Sequence, residues 1–514
     1  MRVTNSMISN SAKSHISNAK NKLLTAEEQY TTEKKIQRPS DDPTVAVRSL
    51  KYRSTMAQIT QYVEKNVKDG MSWMDNTEAA LKNINSILIE MKGYLNQGAN
   101  DYLAQDERNA VLSTLKQYVS SIFEDEANAD YSGRYVFTGY RTDTSLLFSE
   151  ATKNLAYDIT ENFAYSDISS VNVVTGKVTY AEGMDAQDYV DMLQDVDKSA
   201  VYRMQLAYRN CSNSGLAADG STPSGTKEDY VKFTATYQDA AGQTQQLAAA
   251  SGTAVTRSSK EDGAYVVGDS EIVYLYDTGE VLLGKDIYSA IQENEADISI
   301  AYCKTEFDRG DIRPEMYFAC SSYDSVAKKT INYSDPSGQN INYEINFSQT
   351  MTVNTQGKDA ISTDIYRCVD YLTQTIEAVD DVEKRIIEAE KMIANETDET
   401  EKENLEKLKE SLEAERSLRV TVMTETFGIG LTMVDNAQEK LNVSLAKLGT
   451  RYNRLNLTYD KLSDQKVDTE EQLSNNEDID ISDAFINLTQ ADNLYQYSLS
   501  STSKILGNSL LDYI

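Results

Sequence analysis

The sequence predicts an α+β chain: a long antiparallel helical bundle or coiled-coil rod made from the N- and C-terminal regions, with an inserted mainly-β outer domain and a helical hairpin. Three observations predict it. Met56, Ile59, Val63, Asn66, Gly70, Trp73, Thr77, Ala80, Ile84, Ile87, Met91 and Tyr94 follow one another at spacings of three and four, and Met74, Leu81, Leu88 and Leu95 recur every seven residues beside them. Phe427, Val434, Leu441, Leu448, Leu455 and Leu462 recur every seven near the other end, with Leu431, Leu445, Tyr452 and Tyr459 alongside. Between these seams the period changes to two, as in Val231–Tyr237 and Ile341–Phe347, which is the spacing of half-buried strands. The expected divisions are 1–140 and 425–514 for the two halves of the rod, 141–355 for the β domain and 356–424 for the hairpin.

A first helix is expected from about Asn5 to Ile36, with the sparse, small marks Ile8, Ala12, Ala19, Leu23, Ala26 and Tyr30. Such a stripe buries little area, so the helix needs partners, expected to be other copies of the chain or related chains. Arg38, Pro39, Ser40, Asp41, Asp42 and Pro43 then break it: a proline disfavours helix before it, Ser40 or an Asp offers an N-cap oxygen, and Pro43 suits a first helical turn. The long seam that follows spans roughly 58 Å at 1.5 Å per residue. After a turn at Asn96–Asp101, a third helix is expected over about Gln105–Ala129 with Val111, Leu115, Tyr118, Ile122 and Phe123 inward. Tyr131–Gly139 reads as a hairpin or strand leading out of the helical part.

In the β domain, Ile272–Leu283 reads as a hairpin turning at Asp277-Thr278-Gly279, and the Gly/Ser/Thr-rich stretches near 211–227 and 241–260 read as loops or joints. Its many tyrosines suit strands, and no carboxylate pair, nucleophile motif or phosphate loop stands out. Helical spacing returns with Ile365, Val369, Leu372, Ile376, Val379, Ile386 and Ile393. A turn near Asn395–Asp398 leads to Leu405, Leu408, Leu412 and Leu418. Asp380/Lys384, Asp381/Arg385 and Glu403/Lys407 stand in the favourable acid-first order. With 15 acids against 7 bases between Glu377 and Arg416, this hairpin reads as a solvated spacer. The second rod helix is expected from near Val420. A last helix carries Ile481, Phe485, Leu488, Tyr495, Leu499 and Leu506, and the apolar ending Ser509–Ile514 suggests capture by another surface.

A net charge of −31, from 81 acidic and 50 basic residues, argues against nucleic acid or anionic lipid as a partner. Cys211, Cys303, Cys320 and Cys368 show no ligand spacing and are expected to be free and buried, and one histidine, His15, excludes His-rich zinc signatures. No cofactor and no catalysis are expected. The N-terminus has no apolar signal-peptide core, and no run is apolar enough to span a membrane, so neither a cleavable signal nor membrane insertion is expected.

Six stretches resemble the hook-associated protein 3 family, the hook–filament junction proteins of the flagellin superfamily: Met1–Met7, Arg38–Pro43, Gln97–Asp101, Gly133–Phe137, Arg451–Leu455 and Ser509–Ile514. Gly310–Phe318 is similar to inserts in other members. The resemblance covers about 140 N-terminal and 90 C-terminal residues. It implies an adaptor exported unfolded through the flagellar type III apparatus by a dedicated chaperone. Copies of such an adaptor form a ring above hook-associated protein 1, and flagellin assembles on that ring outside the cell. Arg38, Pro39, Ser40, Asp41, Asp42, Pro43, Leu510, Leu511, Tyr513 and Ile514 are then the expected assembly contacts. The competing expectations are flagellin itself and a rod whose insert binds glycans or carries an enzyme.

Overall fold

The computed structural model describes residues 5–100, 103–213, 231–239, 242–261 and 263–506. The chain opens with helices α1 (Asn5–Thr32), α2 (Pro43–Gln61), α3 (Lys68–Gly98) and α4 (Gln105–Ser120). A π-helical turn, Tyr62–Val67, joins α2 to α3, and a second, Ser121–Glu126, extends α4. Next come β1 (Asp130–Tyr131), β2 (Arg134–Tyr135), β3 (Leu155–Phe163), β4 (Ser169–Thr175), α5 (Ala186–Gln194) and β5 (Asp197–Gln205). Then follow β6 (Lys232–Gln238), β7 (Thr244–Thr253), β8 (Val255–Arg257), β9 (Ile272–Leu275), β10 (Glu280–Leu283), α6 (Lys285–Glu293) and β11 (Asp297–Lys304). After α7 (Pro314–Tyr317) lie β12 (Ala319–Asp324), β13 (Lys329–Tyr333), β14 (Asn342–Asn346), β15 (Gln349–Thr352) and α8 (Gly357–Ala360). Three long helices close the chain, α9 (Asp364–Asn395), α10 (Glu399–Glu477) and α11 (Ile481–Leu506). These elements make the α+β architecture that the two periodicities predict.

The chain divides into two compact units, one of residues 1–71, 343–351 and 452–514, the other of 72–342 and 352–451. In the first, α1 lies antiparallel to α11, with Tyr30 beside Phe485 at 6.1 Å between ring centroids. The buried seam is alanine: Ala12, Ala19 and Ala26 on α1, seven residues apart, and Ala484 and Ala491 on α11. α2 runs against the C-terminal part of α10, where Asn476 Nδ2 donates to the Val45 carbonyl at 3.0 Å and to Ser49 Oγ at 2.8 Å. Within the π-turn, Val67 is fully buried, and Asn66 donates to the Glu344 carbonyl at 2.8 Å. The extra residue per π-turn shifts the face, so Val67 takes the seam position that the spacing assigns to Asn66. Tyr62 also meets Phe347 edge-on at 5.5 Å, and the Tyr343 hydroxyl donates to Asp69 at 2.6 Å, so the body of the β14–β15 hairpin docks on this turn.

Among the described residues the second unit holds two large sheets besides the two-stranded β1–β2 pair. One has six strands in the order β13-β12-β3-β11-β6-β7, the other five in the order β4-β5-β10-β9-β8, antiparallel apart from the β8–β9 pair. Tyr157, Ile159, Phe233, Ile300 and Tyr302 of the first sheet share one core with Met204, Tyr274, Val281 and Leu283 of the second. At the β9–β10 turn Gly279 has φ +71, where a side chain would run into the Tyr208 carbonyl. In the helical part of the unit, Trp73, Met74, Leu81, Ile84, Leu88, Met91 and Leu95 of α3 are buried, as are Phe427, Val434, Leu441 and Leu448 of α10. α3 and α10 run antiparallel: Lys92 pairs with Asp435, Gln438 Nε2 donates to Asn85 at 2.8 Å, and Gly98 lies against the Phe427 ring.

Several expectations are corrected. The first helix ends at Thr32, because Glu33 adopts φ +57 and turns the chain toward α10. Residues 244–257, expected as a joint, form β7 and β8, while most of the stretch near 211–227 lies outside the described residues. No helix begins near Val420: α10 runs unbroken for 79 residues, so the second arm of the hairpin continues into the C-terminal seam and the expected division at 424/425 falls inside a helix. Of the three proposed pairs, Asp381 and Arg385 meet at 3.2 Å; Asp380 instead accepts from Gln105 and Asn109, and Lys407 reaches Glu410.

Candidate assembly surface

The sequence string Arg38–Pro43 sits in the first unit, between α1 and α2. Asp41 Oδ2 accepts the Arg38 and Gln37 backbone N–H groups at 2.9 and 3.2 Å, closing a tight loop. Asp42 is the N-cap of α2, accepting from Thr44 N at 2.9 Å and Val45 N at 3.2 Å, and Pro43 opens the helix. The two aspartates therefore shape backbone, while Arg38, Pro39, Ser40 and Pro43 are exposed. The other expected contacts, Leu510, Leu511, Tyr513 and Ile514, lie outside the described residues.

Beside this loop is a junction that pattern reading missed, because its members are more than 400 residues apart. Lys35 N donates to the Glu477 carbonyl at 2.7 Å and Ile479 N to the Glu33 carbonyl at 2.9 Å, a short backbone pairing between the ends of α1 and α10. Glu477, with its side chain 7% exposed, receives Lys34 at 2.9 Å and Arg53 at 2.6 Å, and Lys34 also contacts Asp478. Burial alone would raise the Glu477 carboxyl, but the hydrogen bonds from Arg53 and Lys34 bring it below its ordinary value. The hydrogen bonds that Lys34 makes to Asp478 and, second, to Glu477 hold it above the usual lysine value.

The α1–α11 pair leaves its large apolar side chains outside the alanine seam. Met7 and Leu24 on α1, and Ile481, Phe485, Ile486, Leu494, Tyr497 and Leu499 on α11, are all exposed, Tyr497 at 72%. A helix apolar on several sides is normally enclosed on several sides, and one α1 encloses only the alanine side. The apolar periodicity of α11 was visible in sequence; that alanine would take the seam was not.

In the second unit a cleft of about 1550 Å³ is lined by charged and polar side chains together with apolar ones such as Phe163, Phe318, Ile429 and Val443. Arg367 is held by Glu161 at 3.1 Å and Asp364 at 2.9 Å, Lys358 by Asp335 at 2.7 Å, and Arg451 donates to the Asn354 carbonyl at 2.7 Å. These charges brace the fold. Among the described residues no group of three or more His, Cys, Asp or Glu is placed to hold a metal ion, and no helix is long and apolar enough to cross a membrane.

Comparison with known proteins bears on the ends of the chain. The family profile for the bacterial flagellin N-terminal helical region matches residues 3–142, and that for the C-terminal helical region matches residues 431–514. Flagellar hook-associated protein 3 of Salmonella typhimurium is 25% identical over 152 residues, covering 30% of this chain and 47% of the relative; that of Escherichia coli K12 is 24% identical over 153 residues, covering 30% and 48%. The chain thus spans about half the length of these curated relatives. The crystal structure of FlgL from Xanthomonas campestris aligns with a TM-score of 0.31 at 12% identity, covering 82% of this chain and 99% of the other. The two ends of this chain are thus similar to the N- and C-terminal helical regions of bacterial flagellin, and over about 150 residues the chain is similar to flagellar hook-associated protein 3.

Proposed function

We propose that this protein is a structural adaptor of the bacterial flagellum, placed at the junction between hook and filament. The observation that carries the reading is the α1–α11 pair, whose inward faces meet through alanine while Met7, Leu24, Phe485, Leu494 and Tyr497 face outward. Packed side by side with other copies, these faces lose their exposure to water, at about 1.5–3 kcal/mol for each large side chain fully buried. In this reading copies form a ring on hook-associated protein 1, with Arg38–Pro43 and Leu510, Leu511, Tyr513 and Ile514 among the contacts, and flagellin assembles on the ring. The chain reaches that place by the flagellar type III route with an export chaperone, and acts outside the cell by packing and not by catalysis.

Deletion of the gene with complementation tests it: hooks lacking filaments, with flagellin shed into the medium, are expected, and normal filaments would overturn it. A second reading, a filament subunit, draws on the 21% identity over 329 residues to flagellin of Salmonella choleraesuis, covering 63% of this chain and 61% of that one. Immunogold labelling separates the two, since a filament subunit labels the whole shaft and a junction adaptor a short band at its base.

A further inference from the structure

The first unit carries two exposed helix sides of opposite charge. On α2, Val47 and Leu50 are 67% and 65% exposed, with Arg48 and Lys51 also exposed; Val47, Arg48 and Lys51 turn away from buried Ala46 and Ser49, and Leu50, one turn on from Ala46, flanks them. On α10, Leu457 and Val467 are 70% and 64% exposed and stand in one row with Asp460, Asp464, Asp468 and Glu471. Spacings of three and four place that row opposite the buried Leu455, Thr458, Leu462 and Thr469. Neither the two cations nor the four carboxylates form an ion pair with another described residue, although Lys461 flanks the acidic row.

The two sides match each other: two aliphatic side chains with cations on one, two aliphatic side chains with carboxylates on the other. They cannot meet within one copy. Arg53 with Glu477, and Asn476 with Val45 and Ser49, hold the inner sides of α2 and α10 together, so the outer sides face away from one another. The charge balance of the chain points the same way. Residues 1–53 contain 10 bases and 5 acids, a net +5, and the remaining residues contain 40 bases and 76 acids, a net −36.

We infer that the Val47–Lys51 side of α2 in one copy docks on the Leu457–Glu471 side of α10 in a second copy of this chain. Such a contact joins two different patches, so it is heterologous and repeats from copy to copy, closing as a ring or continuing as a helix. It rests on the proposed assembly of copies and assigns that assembly a pair of surfaces. The opposite charges steer encounter and fix which sides meet, and the aliphatic pairs exclude water at the centre.

The full-length chain, its Arg48→Glu/Lys51→Glu variant and its Asp464→Lys/Asp468→Lys variant are compared by analytical ultracentrifugation. Each variant alone is expected to self-associate more weakly than the wild type by roughly tenfold or more, and an equimolar mixture of the two to regain association, because their reversed charges complement each other. Wild-type association is expected to weaken near 1 M salt, where the Debye length is about 3 Å. A neutral pair, Arg48→Gln/Lys51→Gln, is expected to give an intermediate loss and serves where a charge reversal lowers the melting temperature. The inference is overturned by a wild type that stays monomeric at low salt, by variants that associate as the wild type does, or by a mixture no stronger than its components. If filaments still depend on the gene when the mixture fails, the docking surfaces are wrong and the junction reading stands.

Discussion

Arg53 Nη2 lies 2.6 Å from Glu477 Oε1, across 424 residues of chain. Glu477 is buried while Arg53 is exposed, so the bond is anchored at its acidic end. Together with Lys34 it fixes where the N-terminal helices meet the end of α10. The same carboxylate lets the junction be tested directly.

Replacing Glu477 with Ala is expected to destabilise the first unit by about 1–2 kcal/mol, a figure held down by the solvent around Lys34 and Arg53. The folded carboxyls of Glu477 and Asp478 lie below their ordinary values, so their stabilisation is present above those values and is lost as the pH falls through the lowered ones. Thermal melts followed by circular dichroism should lose stability below about pH 4. Glu477→Gln should show a shallower decline over the same range.

Gly98→Ala tests a tight contact between α3 and α10. A Cβ on Gly98 would fall 2.2 Å from a carbon of the Phe427 ring, which is itself fully buried. Overpacking of this kind costs about 1–3 kcal/mol, despite the better helix propensity of alanine. A lower denaturant midpoint is expected, and pairing the change with Phe427→Leu should recover part of it.

Glu415 holds the Arg385 guanidinium by two bonds of 3.0 and 2.9 Å, and also accepts Val178 N at 2.9 Å and Arg419 at 2.7 Å. Its side chain is fully buried. Removing it leaves Arg385 with Asp381 and the Val178 carbonyl as its partners and leaves the Val178 N–H unpaired, so Glu415→Ala should destabilise the second unit by about 1–3 kcal/mol. Hydrogen exchange should report the loss first around Val178 and along the α9–α10 hairpin.

All four cysteines are buried thiols outside any disulfide. Burial pushes the Cys211, Cys320 and Cys368 thiols up to about 12, far from the thiolate form that reacts near neutral pH. A thiol reagent such as dithionitrobenzoate should titrate none of them in the folded protein and all four in guanidinium chloride. Rapid native reaction would show that these cores open.

Much of the fold was legible because seams leave a repeating mark. Ile84, Leu88 and Met91, like Leu441, Leu448 and Leu455, are buried where their spacing puts them. The π-turns were not legible, since one inserted residue exchanges Asn66 for Val67 and buries both Ile122 and Phe123 without breaking the apolar run. β7 was hidden by its Ala, Ser and Gly content, which its pairing with β6 overrides. The continuity of α10 past Val420 was hidden by a change in charge pattern that carries no helix-stopping signal. Of the candidate surface, the string Arg38–Pro43 was legible as a capped break, with Asp42 the cap. Glu477 was not, because nothing local marks a carboxylate whose partners are Lys34 and Arg53.

The alanine contacts of Ala12, Ala19 and Ala26 with the Ala484 and Ala491 side of α11 have a thermodynamic corollary. So little methyl surface changes solvent there that the helix pair of an isolated protomer should melt well before the sheets of the second unit. Its midpoint should then climb with protein concentration, because mass action from neighbouring protomers supplies what intramolecular packing does not.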